Sequence, residues 1–274
     1  MPQTITEKVV QAHAEGLPTG HEVLAGDMVT VRPFHVMTHD NTGAVMPKFH
    51  AIGAERVADP SQPVFTLDHN VQDTSDQNLA KYRRIEEFAG NQGVTFFPAG
   101  AGIGHQLMVE QGFVHPGTLV VASDSHSNMY GALAAVGTPV VRTDAAALWA
   151  GSVTWWLVPR TVKVVLEGEL RPGVTGKDVI ITLCGLYHSG EVLNAAIEFH
   201  GPGVAGLSMS ERLTISNMTT EWGALVGWFP FDEITAEYLS ERATALSANG
   251  VVDRLTEEMI SGWEANPPTP CLLY

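Results

Sequence analysis

Five short polar clusters set histidines and carboxylates beside breaks in the chain: Thr38-His39-Asp40-Asn41, Asp68-His69, Gly102-Ile103-Gly104-His105-Gln106, Asp124-Ser125-His126, and Asn217 with Glu221. Any one of them is weak, because an isolated histidine is more often a surface or satisfied interior residue than a catalyst. Together they offer the mix of imidazoles and carboxylates that moves protons on an acidic substrate. A carboxylate partner raises a histidine's pKa and fixes its tautomer, so pairs serve this chemistry better than lone rings.

Several familiar chemistries fit poorly. Asp124, Ser125 and His126 are adjacent, so they do not fold back easily into a hydrolase triad, and no G-x-S-x-G elbow is present. The glycines before His105 allow close backbone approach to a ligand or simply a tight turn; they lack the G-x-G-x-x-G spacing of a dinucleotide site. A zinc hydrolase is a minor alternative. His35 and His39 are spaced for one helical face and His50, His69, His105 and His126 are available, but there is no H-E-x-x-H and Pro33 with Gly43 disfavours a long helix there. Asn217 and Glu221 lie four apart, so a helix through both presents them on one face, whether to a ligand or to solvent.

The elements that must carry these clusters read as an α/β alternation. A helix is expected over residues 4–15, and β-rich runs at Met28 to Arg32, Val64 to Asp68, Val94 to Pro98, Leu119 to Ser123 and Val162 to Glu167 have helical patterns between them. That pattern predicts layered α/β/α domains with largely parallel sheets, which place their chemistry at the carboxyl ends of strands. Ala145 to Trp156 reads as a helix stopped by Pro159, marking a boundary between an α/β unit at 1–158 and a second at 159–274. The second opens with a strand, a Pro-Gly turn and a helix capped by Thr175. The tail from Ser261 reads as turn-rich, with the look of an interrupted chain.

Bulk composition narrows the partners. Of 274 residues, 45% are apolar, enough for a large core, while 15 Lys and Arg against 30 Asp and Glu leave a net charge of −15. That field repels phosphate backbones, which argues against nucleic acid. The longest apolar runs fall far below the ~18 residues of a membrane span, so no membrane role is expected. Cys184 and Cys271 are too few for a disulfide framework, which suits a reducing compartment. The first residues include Glu7 and Glu15 and show neither an apolar signal core nor an acid-poor presequence, pointing to the cytoplasm.

The strings VMTHDNTG, FTLDHNVQ, PAGAGIGHQ, VASDSHSNMYGALAAVGTPVVRTDAAALWA and LTISNMTTEWGALVGWFP resemble, in order and over nearly the whole chain, the aconitase superfamily. The THDN start, the DSHSNMYG block and TWW before Val158-Pro159 are most similar to its homoaconitase branch. The resemblance implies the first two domains of the aconitase fold. It also implies a 4Fe-4S enzyme that dehydrates a hydroxy-polycarboxylate and rehydrates the alkene with the hydroxyl moved by one carbon, homocitrate to homoisocitrate in this branch. Carried over position by position, it pairs Asp68 with His69, Asp124 with His105 and Glu221 with His126 as catalytic groups. His69 would protonate the departing hydroxyl, while His39, Ser125 and Asn217 would line the substrate pocket.

The departure from the family is as specific as the match. The family's cluster cysteines sit in G-S-C-T-N-S and C-G-P-C motifs, and neither Cys184 nor Cys271 lies in such a setting, so metal ligands are absent here. The resemblance therefore implies a complementary C-terminal polypeptide as partner, or a truncated remnant without turnover. The same shift on an isopropyl- or benzyl-substituted malate is the alternative reaction, and apo-aconitase-like RNA binding is opposed by the acidic charge. Homoaconitases are typically mitochondrial, in contrast to the compartment read above. An uncovered interdomain surface should promote self-association.

Overall fold

The computed structural model describes residues 2–269. In chain order, α1 (Ile5–His13), β1 (Ala14–Glu15), β2 (Met28–Val31), β3 (His35–Thr38), α2 (Thr42–Ala51) and β4 (Pro63–Thr66) come first. They are followed by α3 (Asp76–Gln92), β5 (Thr95–Phe97), α4 (Gly104–Glu110), β6 (Leu119–Ala122), a 3-10 segment (Ser127–Leu133), β7 (Val136–Pro139) and α5 (Arg142–Gly151). The remainder is β8 (Thr154–Leu157), β9 (Thr161–Val165), α6 (Gly176–Leu186), β10 (Ala196–His200), a 3-10 turn (Pro202–Gly206), α7 (Met209–Met218), β11 (Val226–Trp228), α8 (Glu233–Ala248) and α9 (Glu257–Ala265).

The central sheet has the order β5-β4-β3-β6-β7, with every neighbouring pair parallel. Its strands are short continuous apolar runs: all four residues of β4 and of β6 are buried, as a sheet covered by helices on both faces requires. Moving from β3 to β4 and β5 the chain steps to one side; β6 and β7 lie on the other. The crevice at that reversal opens between the carboxyl ends of β3 and β6, where a parallel sheet leaves room for a ligand.

A second parallel sheet, ordered β11-β10-β9, carries its own buried cluster of Ile180, Ile197, Phe199, Ile215 and Phe229. It shares the first core too, because Ala196, Val226 and Trp228 pack among Val10, Val29 and Val158. The seam between the sheets is backbone against backbone. A Cβ added at Gly131 would meet the Gly227 carbonyl oxygen at 1.8 Å, so only glycine permits this approach, and Phe229 N–H donates to Gly131 O at 2.9 Å across it. Arg212, fully buried on α7, donates from both terminal nitrogens to Asp232 at 2.7 and 2.6 Å, fixing α7 to the start of α8. Asp232 is partly exposed, so its loss would matter chiefly by leaving the fully buried guanidinium without its counter-charge.

Several sequence expectations need correction. Met28–Val31 belongs to a small antiparallel sheet, β1-β2-β8, rather than to the parallel one. The strand at the middle of the main sheet is β3, whose polar ends hide a short apolar centre of Val36 and Met37. His35 and His39 therefore lie along and just beyond a strand, which overturns their helical pairing. α5 stops at Gly151, where Ser152 adopts φ 60°, so Trp155 and Trp156 stand on β8 instead of on a helix. α1 ends at His13 because Ala14 and Glu15 pair with β2. Ser261 to Ala265 are the end of α9, not a turn, whereas Cys271 and the rest of the tail beyond Thr269 lie outside the described residues. The Thr175 cap is as anticipated: its side chain and that of Asp178 form a reciprocal capping box.

Met28, Trp155 and Leu157 share the open face of the β2–β8 ribbon at 62%, 59% and 49% exposure. An apolar strip of this kind favours association of the chain with itself. Sedimentation velocity should show concentration-dependent association that Trp155→Glu reduces; a concentration-independent monomer would refute it.

His35 supplies a pH prediction. Burial against Phe34 and Phe113 pushes its pKa down to about 4, although Nδ1 donates to the Gln62 carbonyl at 3.1 Å. The unfolded chain binds this proton near the ordinary value of 6.5 and the folded chain only near 4, so stability is held above 6.5 and lost as pH falls through that window. Chemical denaturation should lose about 1.4 kcal/mol per pH unit from this group, and His35→Gln should flatten the slope.

Candidate active site

Because the main sheet is parallel, the loops after β3, β4, β5 and β6 all emerge at one end, and they bring His39, Asp68, His69, His105, Asp124, Ser125 and His126 together. Asp124 is the shared partner. Its Oδ1 contacts Nε2 of His105 at 2.7 Å and accepts the backbone N–H of His126 at 2.9 Å. Its Oδ2 lies 3.5 Å from Nε2 of His69 and 3.7 Å from Nε2 of His39. Burial works against ionisation, but the hydrogen bonds from His105 and from the His126 backbone, in a setting of close imidazoles, hold this carboxyl far below the usual range.

Three of the four imidazoles are oriented by a second group, whereas His39 Nδ1 is buried without a hydrogen-bond partner among the described residues. His105 is buried, and its Nδ1 lies 2.9 Å from the hydroxyl of Tyr130, itself buried so deeply that its pKa rises well above 10. His69 keeps Nδ1 on Asp68 Oδ1 at 2.6 Å, and the other Asp68 oxygen accepts the Gly104 N–H at 2.6 Å. This fold admits no side chain at Gly104, since a Cβ would meet Thr66 Oγ1 at 2.6 Å and Asp68 Oδ2 at 3.0 Å. His126 Nε2 lies 2.8 Å from Glu221 Oε1, and Thr220 donates to the Ser125 carbonyl at 2.6 Å, tying the two sheets' loops together.

His39 and His69 stack with centroids 3.8 Å apart, and their proton affinities diverge. Burial, then the neighbouring His69 charge, lowers the His39 pKa. Desolvation is the largest single influence on His69 and lowers its pKa, but the Asp68 hydrogen bond and the charges of Asp68, Asp124 and Asp40 together outweigh it, so the pKa rises. The two rings' proton affinities are thus pushed in opposite directions, which is how adjacent titratable groups are divided into separate tasks.

Two sequence candidates depart from the geometry expected of them. α7 ends at Met218, so Asn217 occupies its last turn and Glu221 the turn beyond; they do not share a helical face. Glu221 reaches His126 from that turn, whereas the Asn217 side chain makes no hydrogen bond among the described residues. A residue given no role by sequence reasoning proves central. Asp40, buried, accepts the backbone N–H groups of Asp68 at 2.9 Å, His69 at 2.8 Å and Asn70 at 3.2 Å, together with the Tyr82 hydroxyl. Burial opposes its charge, yet these donors hold its pKa below the ordinary value. It lies inside the THDN string, but only the fold reveals that its target is a backbone loop.

Metal readings can be tested on the same geometry. His39, Asp40, Asp68 and His69 offer atoms within 4.8 Å of one another. Asp40 already accepts four donors and the two rings are stacked rather than convergent, so the set does not suit zinc. A 4Fe-4S cluster fits no better. Cys184 is the one cysteine among the described residues, and burial plus nearby Glu221 pushes its thiol pKa up, against the thiolates such a cluster demands.

Comparison with known proteins places this geometry in a family. The profile of the aconitase family (aconitate hydratase) matches residues 7–266. A protein named homoaconitase, mitochondrial, from Aspergillus niger is 58% identical over 255 residues, which cover 92% of this chain and 33% of that protein. Proteins of the same name from Yarrowia lipolytica (58% identity, 90% of this chain, 36% of theirs) and Chaetomium globosum (54%, 99% and 35%) agree. The chain belongs to the aconitase family, and it spans about a third of the length of the curated relatives it matches. No described helix is long and apolar enough to cross a membrane.

The Asp68–His69 pair generates a direct test. Asp68→Asn removes the negative partner of Nδ1, so the His69 titration followed by NMR should move to lower pH. An unmoved titration would show that Asp68 does not set the proton affinity of this ring. Asp40→Ala leaves three N–H groups and a phenol unpaired and should cost about 2–4 kcal/mol in denaturant unfolding, with faster amide exchange confined to Asp68 through Asn70.

Proposed function

We propose that this chain supplies the proton-handling half of an aconitase-type hydro-lyase, with homocitrate and homoisocitrate as its substrate pair. The observation that carries the reading is the single ionised Asp124 carboxylate facing four imidazoles, at the strand ends of a chain 54–58% identical to proteins named homoaconitase. A polypeptide beyond this chain, contributing the rest of the fold and the ligands of the family's 4Fe-4S cluster, completes the enzyme. Within the chain we place the boundary between two units at residues 158 and 159.

Moving a hydroxyl through an alkene requires one proton to reach a poor leaving group and another to leave carbon. His69 is suited to the first task. Its Nδ1 is occupied by Asp68, its pKa is raised, and its Nε2 stands 3.5 Å from Asp124, at the open end of the cluster. His69 protonates the departing hydroxyl and takes the proton back from water when the alkene is rehydrated. His105 and Asp124 hold the interior of the network. His126, with Glu221 on one nitrogen and Ser125 Oγ 3.2 Å from the other, passes protons toward solvent. His39, kept neutral, lines the substrate with Ser125 and Asn217.

The test is reconstitution. Alone, the purified chain should show no broad visible absorbance of an iron-sulfur centre and no turnover. Combined with a polypeptide carrying the remaining length of the fold, it should convert homocitrate with transient alkene absorbance. His69→Gln should lower kcat about 10²–10⁴-fold with KM little changed. Turnover of isopropyl- or benzyl-substituted malate in place of homocitrate would replace the substrate assignment, and a completed assembly with no turnover would make the chain a non-catalytic remnant.

A further inference from the structure

A cavity of about 850 Å³ opens directly on the cluster, lined by His39, Asp124 and Ser125 and also by residues with no part in proton transfer. Two of these are cations, Lys48 on α2 and Arg142 at the start of α5. Both are exposed, and neither side chain has an acceptor or an ion-pair partner among the described residues. In a chain of 30 acidic and 15 basic residues, this hollow sets two cations without partners among the described residues opposite its two acids, Asp124 and Asp144. We propose that this hollow is the subsite for the substrate's remote carboxylate, with Arg142 and Lys48 as the residues that read it. The inference rests on the function proposed above and specifies which arm of the substrate this chain selects.

The other walls support a carboxylate-ended arm. Asp124 is committed to the imidazoles, and the second acid of the hollow, Asp144, is turned back on its own helix, accepting the Val141 N–H, with burial disfavouring its charge. Asp144 in the first turn of α5 offsets the positive potential of that helix start, so the attraction for an anion rests on the Arg142 and Lys48 side chains. Trp155, Trp156 and Leu225 complete the lining with apolar surface that suits the methylene chain between the reacting carbons and a distant acid group. The volume lies within the range of small-molecule sites and leaves room for an arm one carbon longer or shorter. A branched alkyl or benzyl arm would fit the same space but leave both cations facing an uncharged group, and a site built to pair with a polar group discriminates strongly against analogues that lack it.

The experiment is calorimetric titration of the chain with homocitrate and with 2-isopropylmalate, which keeps the malate end and replaces the acidic arm by an alkyl one. Homocitrate should bind about 10-fold or more tightly, and Arg142→Gln and Lys48→Gln should each weaken homocitrate about 5- to 10-fold while leaving 2-isopropylmalate within about 2-fold. Arg142→Lys should restore part of the loss, and the circular dichroism of each variant should match the parent. Absence of homocitrate binding at millimolar concentration, unchanged binding in the variants, or an equal loss for both ligands would each overturn the subsite. Selective binding that persists while the completed enzyme shows no turnover would overturn the proposed reaction and leave the subsite standing.

Discussion

One carboxylate organises this molecule's chemistry. Asp124 is only partly exposed, yet it must remain charged while four imidazoles and a backbone N–H converge on it. An anion is tolerated there because donors on β3, β4, β5 and β6 loops arrive at one end of a single parallel sheet. An antiparallel arrangement of the same strands would scatter those loops to both ends. Sheet direction is thus what makes the electrostatic arrangement possible, and burial of β4 and β6 on both faces is what holds the direction.

Around that anion the structure repeats a simple device, a carboxylate that immobilises something other than itself. Asp68 fixes a ring and a helix start, since it joins His69 Nδ1 to the Gly104 N–H. Asp40 fixes the loop that carries both Asp68 and His69. Glu221 fixes His126 from a different sheet altogether. The order of these contacts matters. Asp40 acts on backbone, Asp68 on a ring, and of the three only the ring is half exposed, so errors in position are removed before they reach the group that handles the proton.

The sequence showed the clusters and their placement after strands because apolar runs ending in Asp, His and Gly are visible without a fold. It showed the Thr175 cap because a Thr stands just before the helical pattern, while the reciprocal bond from Asp178 came from the structure. It hid β3, whose four residues begin with a histidine, and it extended a helix through Trp155 and Trp156 because the Gly151–Ser152 break is a matter of one left-handed residue. Asp40 and Tyr130 were illegible as site residues for a different reason. Their partners are a backbone segment 28 residues away and a ring 25 residues away, and no local pattern encodes either distance.

The Gly131–Gly227 seam has a mechanical consequence. With no side chain interposed, the separation of the two sheets is set by peptide units whose bond lengths and planarity vary little, not by rotamers that relax. His126 and Glu221 belong to opposite sides of that joint, so their 2.8 Å spacing inherits its tolerance from covalent geometry. A thicker joint would act as a spacer, lengthening this gap directly, much as a shim inserted beneath one jaw of a caliper displaces the reading at the tip.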